Sequence, residues 1–289
     1  MTSRAERIAA AFKWACLAEL DAPKPGNVHT FATGHHMTAD EFVRSADAAA
    51  TPLSAEGTRV GVRIDAAVAA TFAAVGTNTN LGIILLCAPL AAAAERDTAS
   101  TGLRGALGNV LRDLDVDDAN LAFRAIVQAA PAGLGRSASH DVFNPATVTL
   151  SQAMAEAADR DLIARQYVTD FADIFDIGLP LLETAGENEA DPKWATLATF
   201  LGFLSASPDS HIARKFGAET AQAVQHEAAK FQRMLRAAEE PTRLLPVLLA
   251  WDSALKGKGI NPGTSADLTV ATLFAYRLRT ILPSARNSG

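Results

Sequence analysis

Four polar segments carry side chains that could hold an anion or move a proton: PKPGNVHTFATGHHMTADEF, VGTNTNLGIILL, SASPDSHIARKFG and GKGINPGTSADL. In the first, Pro23 and Pro25 each fix φ near about −65° and push the preceding residue out of the helical region. Ala22 to Pro25 should then be extended, with Lys24 displayed on a stiff strut as a point charge for an anion. A helix stop followed by a loop would use the same residues. In the second, Thr77-Asn78-Thr79-Asn80 stands directly ahead of the most apolar run in the chain. One Asn or Thr suffices to cap a helix; the others could hold a phosphate or a ribose hydroxyl beside the unpaired N–H groups of the helix start.

In the third segment Asp209 can cap a helix through Ser210 and His211, and Arg214 and Lys215 follow about a turn later as a fork and a point charge suited to phosphate. A solvated helix face would explain that pair equally well. The fourth offers Asn261, a Pro-Gly turn, Thr264 or Ser265 as N-cap and Asp267 in the first helical turn, where an acid is also favoured by the helix dipole alone. The upstream Lys-Gly-Lys-Gly could let this segment close over an anion. Thr38 to Glu41 reads as a capping box, which occupies Glu41 and does not use Asp40. His29, His35 and His36 lack the further His or Cys spacing that a zinc site needs.

The elements that must position these segments are helical. Apolar residues recur at helical spacing over Arg4–Leu20, Arg59–Val75, Leu81–Glu95, Asp117–Ala129, Asp161–Phe175, Lys193–Ser205, Ala218–Ala238, Thr242–Leu255 and Ala266–Leu282. Ala146 to Leu150, ATVTL, is the one β-like run and is too short for a sheet. The expected fold class is all-α, a single-domain multi-helix globular bundle over residues 1–289, with 283–289 a flexible tail and Leu81–Glu95 its buried axis. In such a fold chemistry falls to helix ends and loops. The 289 residues are 49% hydrophobic, enough for a large core, and the net charge of −6 without a basic block argues against nucleic acid or anionic membrane as partner. Cys16 and Cys87 suit reduced thiols in a core. The charged start and the shortness of the apolar run Leu81 to Ala94, which contains Pro89, lead to a soluble, cytoplasmic protein as the expectation.

PKPGNV, GHHMTAD, TNTNLG, SPDSHIARKFG and NPGTSADL, in that order across nearly the whole chain, resemble the triphosphoribosyl-dephospho-CoA synthase family. The match lies at Lys24, Pro25, Gly26, His36, Asp40, Asn78, Thr79, Gly82, Ser265 and Asp267; Asn80 and Leu81 replace a His and a Lys of the family pattern. The resemblance implies an all-helical, ATP-binding transferase. It would place a triphosphoribosyl group from ATP on the 2′-hydroxyl of 3′-dephospho-CoA and release adenine. The TNTNLG form resembles a divergent branch whose acceptor could be a one-carbon carrier of the tetrahydromethanopterin type. A helical protein that binds nucleotide without turnover is the alternative of another class, and homo-oligomerisation is left open.

The implied chemistry breaks a ribose C1′–N bond through an oxocarbenium-like state and needs an acid for the base and a carboxylate for the attacking hydroxyl. Asp40, Asp209 and Asp267 form the acidic pool, as catalytic groups and as ligands of Mg²⁺. Lys24, Gly26, Asn27, His36, Asn78, Thr79, Asn80, Arg214, Lys215, Asn261 and Ser265 are expected to bind the nucleotide. All four segments should meet in one cleft.

Overall fold

The computed structural model describes residues 2–32, 38–96, 101–130, 139–188 and 191–281. Its helices, in chain order, are α1 (Arg4–Leu20), α2 (Ala39–Leu53), α3 (Val60–Val75), α4 (Leu81–Arg96), α5 (Gly102–Asp113), α6 (Val116–Ala129), α7 (Leu150–Ala155), α8 (Leu162–Val168), α9 (Leu179–Asn188), α10 (Pro192–Ala206), α11 (Ser210–Phe216), α12 (Ala218–Ala237), α13 (Leu245–Gly257) and α14 (Gly263–Ile281). A π-helical segment, Asp173–Gly178, leads into α9, and a 3₁₀ turn, Pro241–Leu244, into α13. Among the described residues there is no strand beyond an isolated bridge between His29 and Ala32, so the fold is all-α as the periodicity requires. No helix among them is long and apolar enough to cross a membrane. The expected tail at 283–289 lies outside the described residues.

The chain groups into two compact units, one of Met1–Ala15, Val43–Ala172 and Phe274–Gly289, the other of Cys16–Phe42 and Asp173–Leu273. In the first, α4 is buried at every position from Ile83 to Ala94, because a run without charge can satisfy its backbone internally and lose its whole apolar surface to neighbours. Pro89 sits inside it. A proline there cannot donate to the carbonyl four residues back, and the buried Tyr167 hydroxyl fills the gap by donating to Leu85 O at 2.6 Å. Burial pushes the Tyr167 phenol up, which keeps that proton in place. Arg63 is fully buried and donates to Leu53 O (2.7 Å), Thr58 O (2.8 Å) and Glu95 (2.7 Å), tying the end of α2 and the following loop to α4. Gly61 lies against α6 so closely that a Cβ would come within 2.6 Å of Asp118 Cα, and its N–H donates to the Asp118 carboxylate at 2.8 Å.

The second unit is built on an apolar cluster from α10 to α14 that includes Leu197, Phe200, Leu204, Ile212, Val224, Leu248 and Ile260. Phe231 and Trp251 stack at its edge, with ring centroids 4.5 Å apart. Two sequence expectations are corrected. Asp161–Phe175 is not one helix: it ends at Val168, and Asp170 and Phe171 take left-handed φ values of 49° and 57° before the π-helical segment. Apolar spacing carries no information about such a break. The last helix begins at Gly263, so Thr264 and Ser265 lie inside its first turn and Asp267 falls in the second, where the dipole is weaker.

Candidate active site

Lys24-Pro25-Gly26-Asn27 closes a turn in which Asn27 N donates to Lys24 O at 3.2 Å and Gly26 has φ +80°. Proline then glycine at the central positions is the pattern of a type II turn. The glycine is required twice over, because a Cβ would also come within 2.9 Å of Leu255 and Pro262. Lys24 is not displayed. It is 0% exposed, and its ammonium donates to Glu19 O (2.6 Å), Val28 O (3.0 Å) and Ala22 O (3.4 Å) and pairs with the Glu19 carboxylate at 3.1 Å. An ammonium has three protons, and backbone carbonyls take them. Burial pushes Lys24 down and Glu19 up, and their mutual attraction opposes both shifts. The expectation of an outward cation is therefore corrected: Lys24 staples the loop to the end of α1.

Asp209 is the joint between two helix starts. It is 0% exposed; Oδ1 accepts from His211 N (2.9 Å) and Ile212 N (3.1 Å), capping α11, and Oδ2 accepts from Ser265 N and Ser265 Oγ, both at 2.8 Å, at the start of α14. Ser210 and Thr264 hydroxyls bond each other at 2.9 Å, and the His211 ring lies against the Cβ-less face of Gly263. All four acceptor sites of the Asp209 carboxylate are filled. The sequence places this acid as a cap correctly, and its expected roles as base and metal ligand are corrected, because no lone pair is left for either. Burial outweighs these bonds and pushes its pKa up.

Asn27 donates from Nδ2 to Asn261 Oδ1 at 2.8 Å, which joins the Lys-Pro-Gly-Asn turn to the residues ahead of α14. Beneath that turn lies a cluster centred on Asp252, which the sequence did not single out. Asp252, in the body of α13, accepts from Gly26 N (2.8 Å) and Lys256 Nζ (2.9 Å), and the His29 ring nitrogen Nε2 is 3.3 Å from Oδ1. Burial alone would raise Asp252; the bonds from His29, Lys256 and Gly26 outweigh it and hold the carboxyl below its usual range. In sequence Lys256 belongs to the Lys-Gly-Lys-Gly stretch expected to close over an anion; that is corrected, since Lys256 lies in the last turn of α13 with its ammonium on Asp252.

The expected site residues thus fall into groups. Three segments, through Gly26 and Asn27, Asp209 and His211, and Asn261 and Ser265, are joined around the start of α14. Arg214 and Lys215 are exposed on α11, with the Lys215 ammonium 5.2 Å from the Phe216 ring centroid. Asp40 is exposed in the first turn of α2, behind a Thr38–Glu41 capping box that forms as expected, Thr38 N donating to Glu41 at 2.7 Å and Glu41 N to Thr38 Oγ1 at 3.2 Å. Asp267 is partly buried, and after desolvation its carboxylate, with that of Glu19, helps push up the Cys16 thiol. His36 lies outside the described residues.

The remaining segment, the second in chain order with Thr77 to Asn80, belongs to the first unit. There Asn78 Oδ1 accepts from Leu81 N (3.1 Å), Thr79 Oγ1 donates to Ser45 Oγ (2.6 Å), and Asn80, 5% exposed, leaves its Nδ2 without a partner among the described residues. Among the described residues no three His, Cys, Asp or Glu side chains come together as a metal cage. With Asp209 filled, the residues do not fit the expected Mg²⁺ site of Asp40, Asp209 and Asp267.

A family model described as ATP:dephospho-CoA triphosphoribosyl transferase, CitG, matches residues 5–285. No curated protein matches the chain. A crystal structure from Archaeoglobus fulgidus, described provisionally as a triphosphoribosyl-dephospho-CoA synthase, is 24% identical with a TM-score of 0.61, over 80% of this chain and 95% of that one. At that identity the likeness bears on the fold.

Proposed function

The chain belongs to the ATP:dephospho-CoA triphosphoribosyl transferase family, and from that premise we propose that its reaction is carried out around the start of α14. The acceptor hydroxyl attacks C1′ of the ATP ribose, the C1′–N bond to adenine breaks, the hydroxyl proton passes to a base and adenine leaves protonated. The observation that carries the placement is the Asp209 joint. It fixes the starts of α11 and α14 against each other, and the Asn27–Asn261 bond brings the Lys-Pro-Gly-Asn turn to the same place, so that polar side chains of three loops converge there. Asn27 and Asn261 are proposed to orient the ribose, and Arg214 and Lys215 to draw in the triphosphate. The base is proposed from Asp40 and Asp267, both more exposed than Asp209. No step is assigned to a protein-held metal.

One observation favours a second acceptor. Leu81 stands where the family pattern has a lysine and is buried at the start of α4, so the cation is replaced by core. A one-carbon carrier of the tetrahydromethanopterin type is the acceptor that this departure suggests. The test is incubation with ATP, Mg²⁺ and either acceptor, followed by mass spectrometry. Equimolar adenine and a triphosphoribosylated dephospho-CoA are expected. Adenine with the second acceptor alone would move the reading to that acceptor, and ATP binding without adenine release would overturn it.

A further inference from the structure

Asp252 and His29 are buried, lie outside every expected site residue, and converge on the turn that carries Asn27. We propose that they are positioning residues of the transferase, holding the Lys-Pro-Gly-Asn turn so that the Asn27 amide meets Asn261 ahead of α14. This rests on the reading of that region as the reactive site.

Asp is a weak helix former, and a carboxylate inside a protein is costly unless its oxygens are met. Asp252, 1% exposed in the middle of α13, meets those conditions through the loop: Gly26 N at 2.8 Å and His29 Nε2 at 3.3 Å on Oδ1, and Lys256 at 2.9 Å on Oδ2. Gly26 is the residue whose missing Cβ lets the turn lie against Leu255, Ile260 and Pro262. The bond from Gly26 N to Asp252 therefore sets how far the turn sinks toward the residues that carry Asn261. Asn27, the next residue, makes the bridge.

His29 sets the other end. Phe31 N donates to its Nδ1 at 3.2 Å, so that nitrogen carries no proton and Nε2–H is the one offered to Asp252. Lys256 Nζ lies 3.4 Å from the same ring and 3.3 Å from Ala32 O. The charged groups around the ring are Asp252 and Lys256 of α13 and Lys24 of the loop, itself paired with Glu19 of α1. Burial, with Lys256 and Lys24 adding, holds the imidazole neutral against the pull of Asp252. A second proton would have to sit on Nδ1, facing Phe31 N–H, and the turn from His29 to Ala32 would open. The folded-state pKa is depressed, so the clamp is complete above the ordinary imidazole value and is lost as pH falls through the depressed one.

The experiment compares wild type, Asp252→Asn and His29→Gln in adenine release from ATP and dephospho-CoA between about pH 5 and 8, with amide hydrogen exchange at Gly26 measured on the same samples. Asp252→Asn should lower kcat by about tenfold to a hundredfold, the range of a small misplacement, with little change in the KM for ATP. Its Gly26 amide should exchange faster. Wild-type activity should fall on the acid side in step with faster Gly26 exchange, and His29→Gln, which keeps the donor toward Asp252 but cannot titrate, should lose that acid limb. Wild-type kcat in Asp252→Asn, or an unchanged acid limb in His29→Gln, would overturn the proposal. If Asp252→Asn does not fold, His29→Gln decides alone. If wild type releases no adenine, the placement of the reaction fails, and Gly26 exchange still decides whether the clamp exists.

Discussion

The starts of α4 and α14 look alike in sequence, each a run of Asn, Thr, Gly or Ser ahead of an apolar helix, yet they are finished differently. At α14 the cap comes from a residue 56 positions away, Asp209, which serves α11 with its other oxygen. At α4 the cap is local, from Asn78 three residues upstream, and the buried Asn80 amide is left over. A helix start capped from a distance fixes two loops relative to each other. A local cap fixes only its own helix start, and at α4 the tie to another element is the separate bond from Thr79 to Ser45 of α2.

The largest effect should come from breaking the distant cap. Asp209→Ala leaves three N–H groups and a hydroxyl without their acceptor, and should cost about 3–5 kcal/mol, read as a lower midpoint in urea unfolding. Next comes Lys24→Met, which strands Glu19 and three carbonyls and should cost about 2–4 kcal/mol. The double variant Lys24→Met with Glu19→Leu should recover most of that loss, and calorimetry should find ATP affinity little changed in both. A clear loss of affinity at unchanged stability would return Lys24 to the nucleotide.

Much of this fold is legible in sequence. α1 and α4 match their apolar spacing within a residue, and the Thr38–Glu41 box and Asp209 cap follow from residue type and position. What is not legible depends on partners that sequence does not name. Lys24 turns inward because backbone carbonyls of Glu19, Ala22 and Val28 converge there, and any residue type could have supplied them. Tyr167 is needed because Pro89 leaves Leu85 O unmet. Asp252 and Lys256 acquire meaning when Gly26 and His29 arrive against them.

Smaller effects separate the two helix starts further. Asn78→Ala should cost about 1 kcal/mol, the value of a lost cap, by thermal unfolding. Asn80→Leu should change stability least, within about 0.5 kcal/mol, because the buried amide it removes has an unmet donor. If that variant unfolds like wild type but binds ATP more weakly, the α4 start takes part in nucleotide binding; equal affinity would mark it as structural.

The account's central claim is that the reaction depends on the loops joined at α14. The most direct measurement is the rate of adenine release from ATP in the presence of dephospho-CoA by wild type and Asn261→Ala. Asn261→Ala removes the Asn27 bridge without stranding a charge. Adenine release by wild type, and a kcat/KM lowered by about tenfold or more in the variant at unchanged helical content, is the predicted result. Equal rates in the two proteins would contradict it.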